Sequence, residues 1–189
     1  MSREERAAAT RERLLRAARE LFAERGYAAV GTEELVRRAD VTRGALYHHF
    51  RDKKHLFQAV HEQMEAELVE ALGVKLAGIE DPEELLRVGI RSFLDAVMDP
   101  AVMQITLTDA PAVLGWAKWR EIDAKYGLGL IAAGLNLSME TGYIPRQPVE
   151  PLAHLLLGAM GEAAMLIANG AARDQVEPPL IALLEGLSS

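Results

Sequence analysis

An all-helical fold follows from three observations. No stretch alternates apolar and polar residues cleanly over a strand's length. Apolar residues recur instead at spacings of three and four. Glycine, or aspartate followed by proline, punctuates these runs at helix-length intervals. The 189 residues are half apolar, enough for one large domain or for a small module joined to a larger one. About nine helices are expected.

The first helix is predicted over Ala7 to Arg25, with Leu14, Ala18, Leu21 and Phe22 on one face and Gly26 as its stop. Thr32 is expected to cap a short second helix whose first turn carries Glu33 and Glu34, where the helix dipole favours acids. That helix ends near Ala39, and Asp40 follows at a position suited to a left-handed backbone. Thr42 caps a third helix through Phe50. A long helix then runs from Lys53 to about Ala77, with Leu56, Val60, Met64, Leu68 and Leu72 at intervals of four and Gly78 at its end. Asp81-Pro82-Glu83-Glu84 reads as N-cap, first-turn proline and acidic first turn. Asp99-Pro100 repeats the signal, and Asp109-Ala110-Pro111 is a looser version of it. A segment containing Trp116, Trp119 and Tyr126 continues to about Thr141, before the proline-rich connection "GYIPRQPVEP". Another helix spans about Val149 to Ala168 and stops at Asn169-Gly170. Pro178-Pro179 is expected to forbid a continuous helix and to start the last one, which carries Leu180, Leu183, Leu184 and Leu187.

Charge is unevenly distributed. The chain carries a net charge of −7, yet residues 1–55 hold 13 Lys/Arg against 9 Asp/Glu, while residues 56–189 hold 8 against 19. A basic region on an acidic body fits a nucleic-acid footprint with little non-specific adhesion. The absence of cysteine excludes disulfides and thiol chemistry and is compatible with a reducing compartment. The opening "MSREERAAATRERLL" is charged with no apolar segment behind it, so no signal peptide is expected and a cytoplasmic location is. The window from Pro151 to Ala172 contains His154, Glu162 and several glycines, which ranks a buried helix above a membrane span.

The two short helices joined by "RADVTRG" have helix-turn-helix proportions. Leu35, Val36, Ala39, Val41, Leu46 and Phe50 supply the contacts that hold such a pair together. Gly44 lets the start of the second helix approach DNA closely. Thr32, Tyr47, Lys53 and Lys54 suit phosphate oxygens. Arg43 and His48 suit base edges, with Thr42 and Ala45 as close neighbours.

The stretch "GTEELVRRADVTRGALYHHFRDKKHLF", preceded by "ARELFAERGYAAV", resembles the N-terminal domain of TetR-family transcriptional regulators over about Arg11 to Val60. It departs from the usual pattern at Ala39-Asp40-Val41, where Ala-Gly-Val is common, and at Val36, where a small alanine is common. The resemblance implies a homodimer on a pseudo-palindromic operator, an all-helical C-terminal domain with a ligand cavity, and repression relieved by a small molecule. The expected organisation is therefore a DNA-binding domain over residues 1–55 and a ligand-sensing and dimerisation domain over residues 56–189.

Sequence evidence for self-association lies after Pro151. Leu152, Leu155, Leu156, Ala159, Met160, Ala163, Leu166 and Ile167 form one apolar face. Leu157, Gly161, Ala164 and Ala168 form a second, of mostly small residues, expected at a dimer interface with Leu180, Leu183, Leu184 and Leu187. A largely apolar effector pocket is expected around Phe93, Val97, Met98, Met103, Ile105, Trp116, Trp119 and Tyr126, because soft and aromatic side chains suit an adaptable cavity.

Other signals carry less. His61 and Glu65 stand one helical turn apart without a third metal ligand, and read as surface residues. "GLGLIAAG", residues 127–134, lacks the spacing and the preceding strand of a dinucleotide fingerprint. Asn136-Leu137-Ser138 matches a glycosylation sequon by pattern alone. No nucleophilic triad groups itself, so no enzyme activity, cofactor or metal is expected. Two other functions remain compatible with the sequence: a DNA-binding regulator whose C-terminal domain only dimerises or recruits a protein, and a helical carrier or enzyme for an apolar molecule.

Overall fold

The computed structural model describes residues 2–188, which form nine helices and no strand among the described residues. Helix α1 spans Arg3–Ala29, starting earlier than the sequence indicates. The cause is a capping box: the Ser2 hydroxyl accepts from the Glu5 amide at 3.1 Å, and the Glu5 carboxylate accepts from the Ser2 amide at 2.7 Å. Gly26 breaks the helix with φ 73° and ψ 159°, so the last turn sets off in a new direction. Helix α2 is Thr32–Arg38, and its N-cap is Gly31 rather than Thr32, with no side chain capping it. Asp40 takes the expected left-handed conformation, φ 51°. The Val41 amide donates to the Val36 carbonyl at 3.0 Å, closing the helix end, and Arg13 holds the turn by donating to the Asp40 carbonyl at 3.1 Å. Helix α3, Arg43–His49, is capped by Thr42, whose hydroxyl accepts from the Ala45 amide at 3.2 Å.

Helix α4 is Lys53–Leu76 and α5 is Pro82–Val97, the latter capped by Asp81 as its sequence dictates. Residues 100–114 form α6, whose middle, Met103–Asp109, is π-helical. Asp109 therefore does not begin a helix. Its carboxylate accepts instead from the Tyr27 amide at 2.7 Å, in the turn that Gly26 opens. Gly115, with φ 88°, separates α6 from α7, Trp116–Glu140. Helix α8 is Val149–Ala168. Helix α9, Arg173–Glu185, runs through Pro178 and Pro179 instead of starting at them. Two things hold its first turns despite the missing amides. Val176, Leu180 and Leu184 are buried one turn apart, and Arg173 pairs with Asp95 and with Glu177.

The chain divides into two compact units. One comprises residues 2–64 and 100–119, the other residues 65–99 and 120–188. In the first, Leu14, Ala18, Leu21 and Phe22 of α1 are buried together with Leu35, Leu46, Phe50, Leu56 and Phe57. The Phe22, Tyr27 and Phe57 rings meet at centroid distances of 5.1 to 5.6 Å. In the second, Leu135, Met139, Ile144, Leu152 and Ala153 form a core cluster, and α9 packs on α5 and α8.

Candidate functional site

The helix-turn-helix region presents α3 outward. Leu46 is its buried anchor, while Thr42, Arg43, Gly44, Tyr47 and His48 are exposed and Ala45 is half-buried. A side chain at Gly44 would meet nothing closer than the Thr42 hydroxyl at 3.9 Å. Packing within the chain therefore does not demand glycine there. The Arg43 guanidinium reaches Glu33 on α2 at 3.1 Å and lies 5.7 Å from the centre of the Tyr47 ring. Both partners of that ion pair are solvated, so opening it to reach another acceptor costs little. The His48 and His49 rings stand edge to face. Burial first, then His48 and Arg11, push the His49 imidazole below its ordinary value.

Of the two lysines, only Lys54 is exposed. The Lys53 ammonium donates to the Tyr27 carbonyl at 2.9 Å and the Val30 carbonyl at 2.8 Å, and lies 3.9 Å from the centre of the Tyr27 ring. The Lys53 charge thus ties α4 to the end of α1 through two of its three N–H donors. Thr32 is half-buried in the first turn of α2.

The second unit holds a cavity of about 420 Å³, within the range of small-molecule sites. It is walled by α4, α5, α7 and α8, with Leu184 of α9 closing one side. Of the residues expected at a pocket, only Phe93 lines it. Met103, Ile105, Trp116 and Trp119 belong to the other unit, where Ile105 and Trp119 are buried in a core and Trp116 is 59% exposed. Val97 is buried away from the cavity, Met98 is exposed, and Tyr126 does not line it. Large side chains fill space; the cavity lies where helix-interior residues lack them. Gly73, Gly89, Gly127 and Gly134 all line it, and a Cβ at Gly127 would come within 3.0 Å of Leu157. Those glycines, two of which bound the "GLGLIAAG" stretch, were the available sequence signal.

The only ionisable side chains on the cavity wall are Glu65 and Asp123. Burial, reinforced by Asp123, pushes the Glu65 carboxyl up to about 8. Burial also raises Asp123, to about 6, against the opposing pull of Arg120, with which it forms an ion pair. His61 and Glu65 are thus buried, not surface residues as their spacing alone indicated. Desolvation holds the His61 imidazole down to about 4, against the opposing effect of Glu62. No group of three potential metal ligands occurs among the described residues.

The expected dimer face also needs correction. Leu157, Ala164, Leu180 and Leu184 are buried within the chain, and Leu187 packs against the cluster around Leu135. Gly161 and Ala168 are half-buried, and a side chain at Gly161 would press on Arg120. The apolar residues left outside are Leu155, 71% exposed, Leu166 and Leu183, 64% exposed. Helix α8 is apolar nearly all round, so its pattern could not choose which stripe turns inward. By length and composition α8 could also cross a membrane; here one of its faces is part of the second unit's core.

Residues 14–60 match the family described as bacterial regulatory proteins, tetR family, and residues 83–189 match the tetracyclin repressor-like C-terminal domain. A TetR-family transcriptional regulator from Pectobacterium atrosepticum has the same fold with a TM-score of 0.85 and 36% identity, over 99% of this chain and 97% of that one. The transposon Tn10 TetC protein of Escherichia coli is 28% identical over 149 residues, covering 79% of this chain and 75% of its own length. RolR, solved in complex with resorcinol, shares the fold with a TM-score of 0.75 at 21% identity, over 99% of this chain and 96% of its own.

Proposed function

The chain belongs to the TetR family of transcriptional regulators, and from that membership we propose that it is a dimeric repressor released from its operator by a small molecule bound in the C-terminal unit. Its DNA-binding function rests on the family and on the helix-turn-helix. The observation that carries ligand release is the cavity and its position on α4. The first turns of α4 bury Leu56, Phe57 and Val60 beside the helix-turn-helix, and its later turns supply Leu68, Val69 and Leu72 to the cavity wall. A ligand that favours one placement of α4 changes the spacing of two recognition helices in a dimer, by no more than its differential affinity for the two states. That a protein of the same fold was solved with resorcinol supports a small-molecule site.

In this reading Arg43 and His48 address base edges, with Thr42, Gly44 and Ala45 close to the groove floor. Thr32, Tyr47 and Lys54 address phosphates. Residues 1–55 are the DNA-binding domain and residues 56–189 sense and dimerise. Leu155, Leu166 and Leu183 face the second copy. The protein acts in the cytoplasm, needs no cofactor and catalyses no reaction.

Selection of bound duplexes from a random library, at fixed near-physiological salt, tests the reading. An enriched palindrome with half-sites one helical turn or a multiple apart is expected. Recovery of unenriched DNA would contradict sequence-specific dimeric binding. On the selected operator, Arg43→Ala is expected to cost about 1–3 kcal/mol while leaving non-specific affinity nearly unchanged, in a fluorescence-anisotropy titration. A comparable loss on both DNAs would remove Arg43 from base reading.

A further inference from the structure

The surface that α3 presents carries an acid. Arg43 is the only lysine or arginine of α3, and its guanidinium meets the Glu33 carboxylate of α2 at 3.1 Å. The Glu33 and Arg43 side chains are 77% and 63% exposed, so both stand at the outer face of the helix-turn-helix. The next acid along the chain behaves differently. Glu34 is half-buried and pairs with Arg25 of α1, which joins two helices of the fold. Glu33 instead holds the side chain assigned to a base edge.

Resting on the reading of Arg43 as a base-edge contact, we propose that Glu33 is a positioning residue: it aims the Arg43 guanidinium and so narrows the base pair that Arg43 accepts. The geometry allows both contacts at once. A guanidinium has five N–H donors in one plane, and guanine O6 and N7 take two of them. One Nη1 donor goes to Glu33, and the Tyr47 ring, its centre 5.7 Å from the guanidinium carbon, adds a second restraint. In water such an ion pair contributes little. Over a groove from which water is displaced the same attraction grows. A side chain held beforehand also loses less freedom when it reads a base. The carboxylate has a second effect. It cancels the one fixed positive charge of α3, so it weakens sequence-independent attraction to phosphates. One acid thus lowers affinity for any DNA and raises discrimination on the operator.

Fluorescence anisotropy of the full-length protein at fixed salt tests this on the selected operator, on operators with single base pairs exchanged, and on a non-specific duplex. The base pair that Arg43 reads is the one whose exchange costs less in Arg43→Ala than in the parent chain. Glu33→Gln keeps the size and an oxygen acceptor and removes the charge. It is expected to tighten non-specific binding by at least about twofold. Discrimination at the Arg43-dependent base pair should fall by at least about threefold and stay intact at the others. Added to Arg43→Ala, the same substitution should cause no further loss there. Discrimination retained in Glu33→Gln, lost at all positions alike, or lost further without Arg43 overturns the positioning role. Non-specific binding that does not tighten overturns the second effect. If Arg43→Ala weakens operator and non-specific DNA alike, the base-edge reading of Arg43 fails, and this inference with it.

Discussion

Lys53 and Lys54 are neighbours in sequence with opposite fates. The Lys53 ammonium satisfies the Tyr27 and Val30 carbonyls where α1 ends, and its pKa is lowered by burial. Lys53→Ala is expected to lower stability by about 1–3 kcal/mol in urea unfolding, because it takes the ammonium donor from the Val30 carbonyl and leaves the Tyr27 carbonyl with only the Val30 amide. Lys54→Ala should leave stability unchanged and reduce the salt dependence of DNA binding by about one unit of slope. Equal effects of the two substitutions on unfolding would contradict this division. Glu65 gives a second test at this scale. Its carboxyl ionises near 4.5 in an ordinary setting and about 8 in the folded chain. Below pH 4.5 both states hold the proton and its burial carries no ionisation penalty. As pH rises toward 8 the unfolded chain loses its proton first, so stability falls, by about 5 kcal/mol at most. Glu65→Gln should therefore be nearly neutral at pH 4 and stabilising at pH 8, as read by urea denaturation at the two pH values.

Among the elements, glycine has two opposite roles. Gly26 turns the chain at φ 73°, and a Cβ there would lie 3.1 Å from the Gln104 side chain. Gly26→Ala is expected to cost about 1–3 kcal/mol. Gly129 sits inside α7, exposed and with open space around it, so Gly129→Ala should stabilise by roughly 1 kcal/mol through helix propensity alone. Thermal unfolding of the two variants should shift in opposite directions. Helix α9 shows the limit of such local rules. Proline in a helix interior removes a hydrogen bond and crowds the preceding turn, which is why the sequence predicts a start at Pro178-Pro179. The helix continues because Val176 is buried one turn before Leu180 and Arg173 bonds both Asp95 and Glu177. The Arg173–Asp95 bond joins residues nearly eighty positions apart, beyond the reach of local pattern.

For the whole molecule, the decisive test is its association. Leu155→Glu with Leu183→Glu places charge on two side chains that are already solvent-exposed, so the helical circular dichroism should be retained. Sedimentation is expected to give a dimer for the parent chain and a monomer for the double variant, whose operator affinity should collapse with it. A doubly substituted chain that still sediments as a dimer would move the interface elsewhere. Much was legible in the chain's letters alone. The all-helical class, the caps at Thr42 and Asp81, the left-handed Asp40 and the outward surface of α3 follow from rules acting within a few residues. Tertiary structure decided the rest: which stripe of α8 turns inward, that Lys53 serves the fold, that Trp119 fills a core, and that glycines on α4, α5 and α7 open a cavity onto Glu65 and Asp123. The physical reason is range. Caps and turns depend on neighbours along the chain, whereas burial, empty space and the ionisation of an acid depend on which distant side chains arrive beside it.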